Sequence, residues 1–402
     1  MRILLVHQNI PGQFRDLAPA LCDRGHELKA IGSSQRPLDE RIEVLRYGVE
    51  KPERQGIHRL SGEVDEWIRR AEQVAERARE LKARGWAPDV MLAHPGWGEA
   101  LLLREVFSSS PLVVWPELWL RPEHLGLAAD QLNVGDQLYL RLKNWLLEGA
   151  LAQAQRVILP TQYQAASFPQ AWQDKITVVH EGVDPELCQA ERLQSLCLGR
   201  EITLEPGVPV VTFISRNLEP MRGFPCFMEA LPELQRQHPQ VQVVVVGGDE
   251  VSYSQAAADG RCWREVMLEK LEGQLDRRRL HFFPRIAHSE LIKLYRRSDL
   301  HVYLSRPFVL SWSLLEVMAC GTAILAADNA MTADVITPGQ EGGLCAEQPD
   351  ALAAAMLEGL RDPQRLRQWG VNARRRVEQE FLRPACLERL IAAIEPLSQG
   401  CF

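Results

Sequence analysis

Residues 299–328, DLHVYLSRPFVLSWSLLEVMACGTAILAAD, constrain the fold more than any other part of the chain. They read as strand, loop, helix and strand. Residues 299–304 form an apolar run of strand length, broken at Arg306-Pro307-Phe308 because proline fixes φ and offers no N–H to a ladder. Ser311 or Ser313 can cap a helix carrying Leu314, Leu315, Glu316, Met318 and Ala319. Gly321 ends it, and TAILAA is the next buried strand. A helix that starts past the carboxyl end of a parallel strand presents N–H groups and a positive dipole end, which suit a phosphate. Glu316 is the odd residue, a carboxylate in an apolar helix that needs a partner. Two ribose hydroxyls or an ion pair at the edge would serve.

Such a unit belongs to an α/β chain with a doubly wound parallel sheet, and 402 residues are too many for one core of that kind. Two domains are expected. The charged fraction of 25% and the net charge of −7 point away from nucleic acid as a partner. Nine cysteines include no C-x-x-C pair and several lie in apolar runs, as expected of reduced thiols in a cytoplasmic protein. The start, MRILLVHQN, reads as a first strand rather than a leader, and no apolar run reaches the ~18 residues of a membrane span.

Taken in order, residues 3–6 are a strand leading into His7-Gln8-Asn9-Ile10-Pro11-Gly12, followed by a helix closed by Gly25. The loop is not G-x-G-x-x-G, so the dinucleotide fingerprint is absent, and Pro11-Gly12 is either a tight turn or a ligand loop. Residues 33–60 read as loop, and 61–84 as a charged amphipathic helix with a solvated face. The strand PDVMLAH delivers His94 before Pro95-Gly96-Trp97-Gly98-Glu99, a position suited to ligand binding. Six or seven strands are expected in this half. Residues 185–207 lose strand periodicity and end in Pro-Gly, which places the linker there, with domains at 1–190 and 200–380.

A second βα series then begins. VPVVTFIS leads to a loop bearing Arg216 and Arg222, six apart, either a clamp for phosphate oxygens or a solvated loop. VQVVVVGG ends in Gly247-Gly248, where a ligand can approach the backbone, and LHFFP ends at Arg285-Ile286. Residues 261–275 read as helical, as do 349–396, with Pro384 breaking the latter run and freeing residues 381–402 to return to the first domain. The positive groups gather in the second domain, which should hold a phosphorylated donor. The first, with Gly12 and His94, should hold the other reacting partner.

The order strand-R-x5-R-G-F, VVVVGG, SDLHVYLS and LSWSLLEVMACGTAILAAD resembles the retaining family-4 glycosyltransferases. HQNIPGQF, AHPGWGE and VVHEGVD resemble one bacterial branch of that family. The resemblance implies two Rossmann-like domains facing across a cleft (the GT-B fold). It implies transfer of a sugar, with retention, from a nucleoside diphosphate donor to a glycan, lipid-linked or small-molecule acceptor. UDP is the expected base, GDP the alternative, and no metal or cofactor is required. Arg216 and Arg222 match the pair that grips the diphosphate, and Glu316 the second glutamate of E-x7-E, which binds the ribose. Ser311, Trp312 and Ser313 match the amides at the distal phosphate, and Gly12 the first-domain glycine loop. His94 matches the histidine near the sugar, and Arg285 and Ile286 the backbone that meets the base. Phe308 departs from the pattern, since it stands where the first glutamate belongs. That loss supports one other expectation, a binding scaffold without turnover, whereas the carboxylate-free loop at 300–315 speaks against the third, a sugar-nucleotide epimerase. Peripheral attachment to the inner membrane face is a family possibility that no basic amphipathic helix here demands.

Overall fold

The structure is a computed structural model that describes residues 1–49, 56, 58–189, 191–199 and 202–399. It divides into two compact units, residues 1–182 with 383–402, and residues 183–382.

The first unit holds a seven-stranded parallel sheet. Its strands are β1 (Arg2–Val6), β2 (Glu27–Gly32), β3 (Glu43–Arg46), β4 (Val90–Ala93), β5 (Leu112–Val114), β6 (Arg156–Leu159) and β7 (Ile176–Val178). Their spatial order is β3-β2-β1-β4-β5-β6-β7, with each neighbouring pair parallel. The central strands are apolar throughout because helices cover both faces, and Ile3, Leu4, Leu5 and Val6 are all fully buried. The order reverses at β1, so a crevice opens where the carboxyl ends of β1 and β4 part. β3 falls within residues 33–60, read above as loop. The strand is only four residues, Glu-Val-Leu-Arg, at a sheet edge, and its two apolar residues carry little of the signal that marks a strand.

The second unit begins with a short antiparallel hairpin, β8 (Leu196–Leu198) and β9 (Ile202–Leu204). Six parallel strands follow: β10 (Val210–Asn217), β11 (Gln242–Gly248), β12 (Leu280–Phe283), β13 (Leu300–Tyr303), β14 (Ile324–Ala327) and β15 (Gly342–Cys345). They lie in the order β12-β11-β10-β13-β14-β15. The switch point is at β10, between β11 and β13. Val211, Phe213, Val243 and Val245 pack with Phe224, Phe227 and Leu231 of the Phe224–Gln237 helix, and Phe213 stacks on Phe227 at 4.7 Å. The unit boundary falls at 182–183, just ahead of the 185–207 segment expected to link the domains. The Pro185–Cys188 helix and the β8–β9 hairpin belong with the second unit, and Val183 bridges Leu382.

Two helix readings also change. The helix expected over 261–275 is Trp263–Lys270. The helical run over 349–396 is three helices, Pro349–Arg361, Pro363–Glu380 and Arg383–Ile394. The run breaks at residues 381–382, and the last helix starts beside Pro384. Pro384 occupies the first turn, where its missing N–H costs no hydrogen bond. Leu390, Ile391 and Ile394 join the first unit's core with Ile3, Leu5 and Val113, and His26 hydrogen-bonds Glu395 at 3.0 Å.

Candidate active site

At the switch point of the second sheet, a cavity of about 400 Å³ collects Arg216, Arg222, Arg285, Ile286, Ser311 and Ser313. Arg216 stands near the end of β10, and the rest come from three strand-to-helix junctions. The first follows β10, and its backbone is drawn in so tightly that only glycine fits at 223. There φ is +73°, and a Cβ would lie 2.3 Å from that of Leu304. Arg216 is exposed and has no hydrogen-bond or ion-pair partner among the described residues. Arg222 donates from Nη1 to Ser305 Oγ at 3.1 Å, and its guanidinium stands 5.1 Å from the centre of the Tyr253 ring. Among the described residues no carboxylate pairs with either arginine, so both charges face the cavity uncompensated.

The third loop, after β13, leads into the Trp312–Ala319 helix. Ser311 is its N-cap, accepting from the Ser313 N–H at 3.3 Å, and Ser311 N–H donates to the Tyr303 hydroxyl at 3.3 Å. The helix thus points its positive end at the cavity wall that also bears the arginines. Arg285, after β12, is paired at the surface with Glu250 at 3.3 Å. Three expected residues lie off the lining. Gly247 rather than Gly248 borders the cavity, and the carbonyl of Gly248 accepts from the Leu218 N–H at 2.9 Å. The Trp312 side chain is exposed. Glu316 lies beyond the first turn, where its Oε1 meets His288 Nε2 at 2.9 Å, the partner that a carboxylate in this helix needs.

The carboxyl ends of β1 and β4 carry His7 and His94, whose rings lie 4.9 Å apart. Each ring accepts a backbone N–H at Nδ1, His7 from Asn9 at 2.9 Å and His94 from Gly96 at 3.1 Å. The neutral rings therefore carry their proton on Nε2. Burial lowers His7 to about 4, and burial with the neighbouring His7 lowers His94 well below the ordinary histidine value. His94 stacks on Trp97 at 4.3 Å, and its Nε2 is buried with no hydrogen-bond partner among the described residues. Gly12 takes φ +48°, and a Cβ there would lie 2.6 Å from His7 Nε2. The glycine expected to serve a ligand loop thus also makes room for an imidazole.

Sequence reasoning missed His7, Ser305, Tyr253 and Glu219. His7 had the same signal as His94, a histidine at the end of an apolar strand. The other three act through contacts across loops distant in sequence.

Residues 24–188 match the family described as Glycosyl transferase family 4 group, and residues 200–376 match Glycosyl transferases group 1. The chain is 30% identical over 234 residues to the D-inositol 3-phosphate glycosyltransferase of Nocardia farcinica, covering 56% of this chain and 49% of that protein. It spans about half the length of the curated relatives it matches. Among solved structures it resembles HepE of Anabaena, determined with UDP and glucose, at a TM-score of 0.68 and 20% identity over 98% of both chains. It also resembles the sucrose-phosphate synthase of Thermosynechococcus elongatus, at a TM-score of 0.72 and 19% identity over 97% of both chains. Two parallel, doubly wound sheets, a basic cavity at the second switch point and family matches along both halves lead to one conclusion: this chain is a member of the family-4 glycosyltransferases, with the GT-B fold.

Proposed function

We propose that the protein moves a sugar, with retention, from a nucleoside diphosphate sugar to an acceptor hydroxyl, and that the donor is a UDP-sugar. One observation carries the reading. Two arginines that pair with no carboxylate among the described residues, and the start of a helix, line one cavity at a sheet switch point. The leaving group of such a transfer is a diphosphate, and its growing negative charge needs fixed positive groups. Arg216, Arg222 and the Ser311–Ser313 helix start supply them, so we assign charge stabilisation to the protein rather than to a metal.

The other roles follow from position. Arg285 and Ile286 sit at the end of β12, beside the cavity wall suited to the base. Glu316 would release His288 to accept from the ribose hydroxyls. At the edge of the first sheet, His94 has an Nε2–H with no partner among the described residues, which we assign to an oxygen of the transferred sugar. A departing phosphate oxygen can take the acceptor proton on the face it leaves. No general base is then needed, and the configuration is retained. The choice of UDP draws support from the fold relative solved with UDP and glucose.

The test is to incubate the protein with UDP-glucose and related donors plus candidate acceptors, and to follow UDP release and the anomeric proton signals of the product by NMR. Acceptor-dependent UDP release, with the donor's anomeric configuration kept, supports the reading. Binding without turnover for every donor would favour a scaffold, and donor epimers would favour an epimerase.

A further inference from the structure

Arg222 is held in an unusual way. An arginine that must keep a fixed pose is most often paired with a carboxylate, and such a partner cancels part of its field. Here the guanidinium is held by an uncharged hydroxyl, Ser305 Oγ, and by the face of Tyr253. Both orient it and leave its charge in place. Tyr253 is itself backed by Phe308, with ring centroids 4.9 Å apart at 50°. The departure at position 308 thus puts an uncharged ring behind the contact.

Tyr253 lies on the loop after β11, 45% exposed, with no core packing of its own to place it. Its position is set by Glu219, which lies between the two arginines in sequence and is fully buried. One oxygen of Glu219 accepts from three successive backbone N–H groups: Ser252 at 3.0 Å, Tyr253 at 3.0 Å and Ser254 at 2.9 Å. Three N–H groups converging on one carboxylate oxygen form an anion nest, so the carboxylate fastens one loop to the other. Asn217 Nδ2 donates to Ser252 Oγ at 2.7 Å, and the Met221 N–H donates to Ser254 Oγ at 2.9 Å, adding two further ties.

We propose that Glu219 and Tyr253 are positioning residues for Arg222. Glu219 pins the 252–254 loop, and the loop sets the Tyr253 ring against the guanidinium so that it meets the donor diphosphate without a counter-ion. This rests on the assignment of the cavity to a nucleoside diphosphate.

The experiment is calorimetric titration of UDP into the wild type and into Tyr253→Ala, Tyr253→Phe, Glu219→Ala, Glu219→Gln, Arg222→Ala and the double variant Glu219→Ala/Tyr253→Ala, with the ligand-free melting midpoint of each. Tyr253→Ala weakens UDP by about fivefold to tenfold, the scale of one partly exposed cation–π contact. Tyr253→Phe keeps the ring and restores affinity. Glu219→Gln keeps an acceptor oxygen and binds more tightly than Glu219→Ala. The double variant is no weaker than Glu219→Ala alone, because both changes act through one contact. Should Glu219→Ala fail to fold, the exposed Tyr253 pair still decides. Wild-type affinity in Tyr253→Ala beside a clear loss in Arg222→Ala would overturn the positioning role while the diphosphate site stands. Unchanged affinity in Arg222→Ala would overturn the diphosphate assignment and this inference with it.

Discussion

At the switch point of the second sheet the polypeptide leaves cations open, while at the switch point of the first it buries imidazoles until they are neutral. Arg216 and Arg222 line an open cavity, and among the described residues no carboxylate pairs with either. His7 and His94 are 5% and 2% exposed, and both are held far below the pH at which histidine normally takes a proton. The same architecture thus yields two opposite electrostatic surfaces. The second suits a dianionic leaving group. The first suits uncharged hydroxyls, because a neutral Nε2–H donates a hydrogen bond without adding charge.

The largest expected effect breaks the comparison at its charged side. Arg222→Ala or Arg216→Ala should lower kcat/KM by roughly 10²–10³, the scale of losing one preorganised oxyanion donor. Steady-state kinetics with the donor proposed above checks this, and wild-type values in both variants would remove the clamp.

A smaller effect is expected at the neutral side. His94→Ala removes one donor from a buried edge, so kcat/KM should fall by about tenfold, near the ~1.4 kcal/mol expected of a single hydrogen bond. UDP affinity should stay unchanged, because the sugar rather than the diphosphate loses its contact. A parallel loss of UDP affinity, measured by calorimetry, would erase the distinction between the two edges.

Gly223→Ala tests whether the arginine loop depends on its close approach to β13. The positive φ and the collision with Leu304 should cost roughly 1–3 kcal/mol of stability, read from denaturant unfolding. A neutral substitution would mean that the loop can sit elsewhere without cost.

The buried histidines give a pH signature to the first unit. His7, His124 and His180 are each lowered by burial from 6.5 to about 4. The unfolded chain binds protons on these rings below about 6.5 while the folded chain does not. Their contribution to stability is therefore complete above pH 6.5 and is lost as pH falls toward 4. Hydrogen exchange followed from pH 7 to 4 should show β1 and β4 losing protection over that window. Glu99 works in the opposite sense. Burial raises it to about 7, so the folded state holds its proton where the unfolded chain has released it, and stability falls as pH rises from 4.5 to 7.

What could be read from sequence was what is local in sequence. Arg216 and Arg222, and the Ser311–Ser313 cap, each lie within one strand-loop-helix segment, so residue type and spacing carried the reading. Tyr253 was not legible, because it becomes a partner of Arg222 only when Glu219 draws in a loop 34 residues away. The pairing of Glu316 with His288 is likewise a contact across 28 residues. In the fold, β3 was missed because a four-residue edge strand with a charge at each end lacks an apolar run. The break beside Pro384 was legible because proline cannot sit inside a continuing helix, yet it fits the first turn of the next one.

The central claim is that the cavity of the second unit binds a nucleoside diphosphate through its arginines. A thermal-shift panel of UDP, GDP and ADP, in EDTA and then in Mg²⁺, tests it most directly when run on the wild type and on Arg216→Ala/Arg222→Ala. At about 100 times Kd a ligand adds ~2.7 kcal/mol of stability, enough to raise the melting midpoint visibly. The account predicts a rise with UDP that is the same in EDTA and in Mg²⁺ and is absent from the double variant. A midpoint unmoved by any nucleotide, or an equal rise in the double variant, would contradict it.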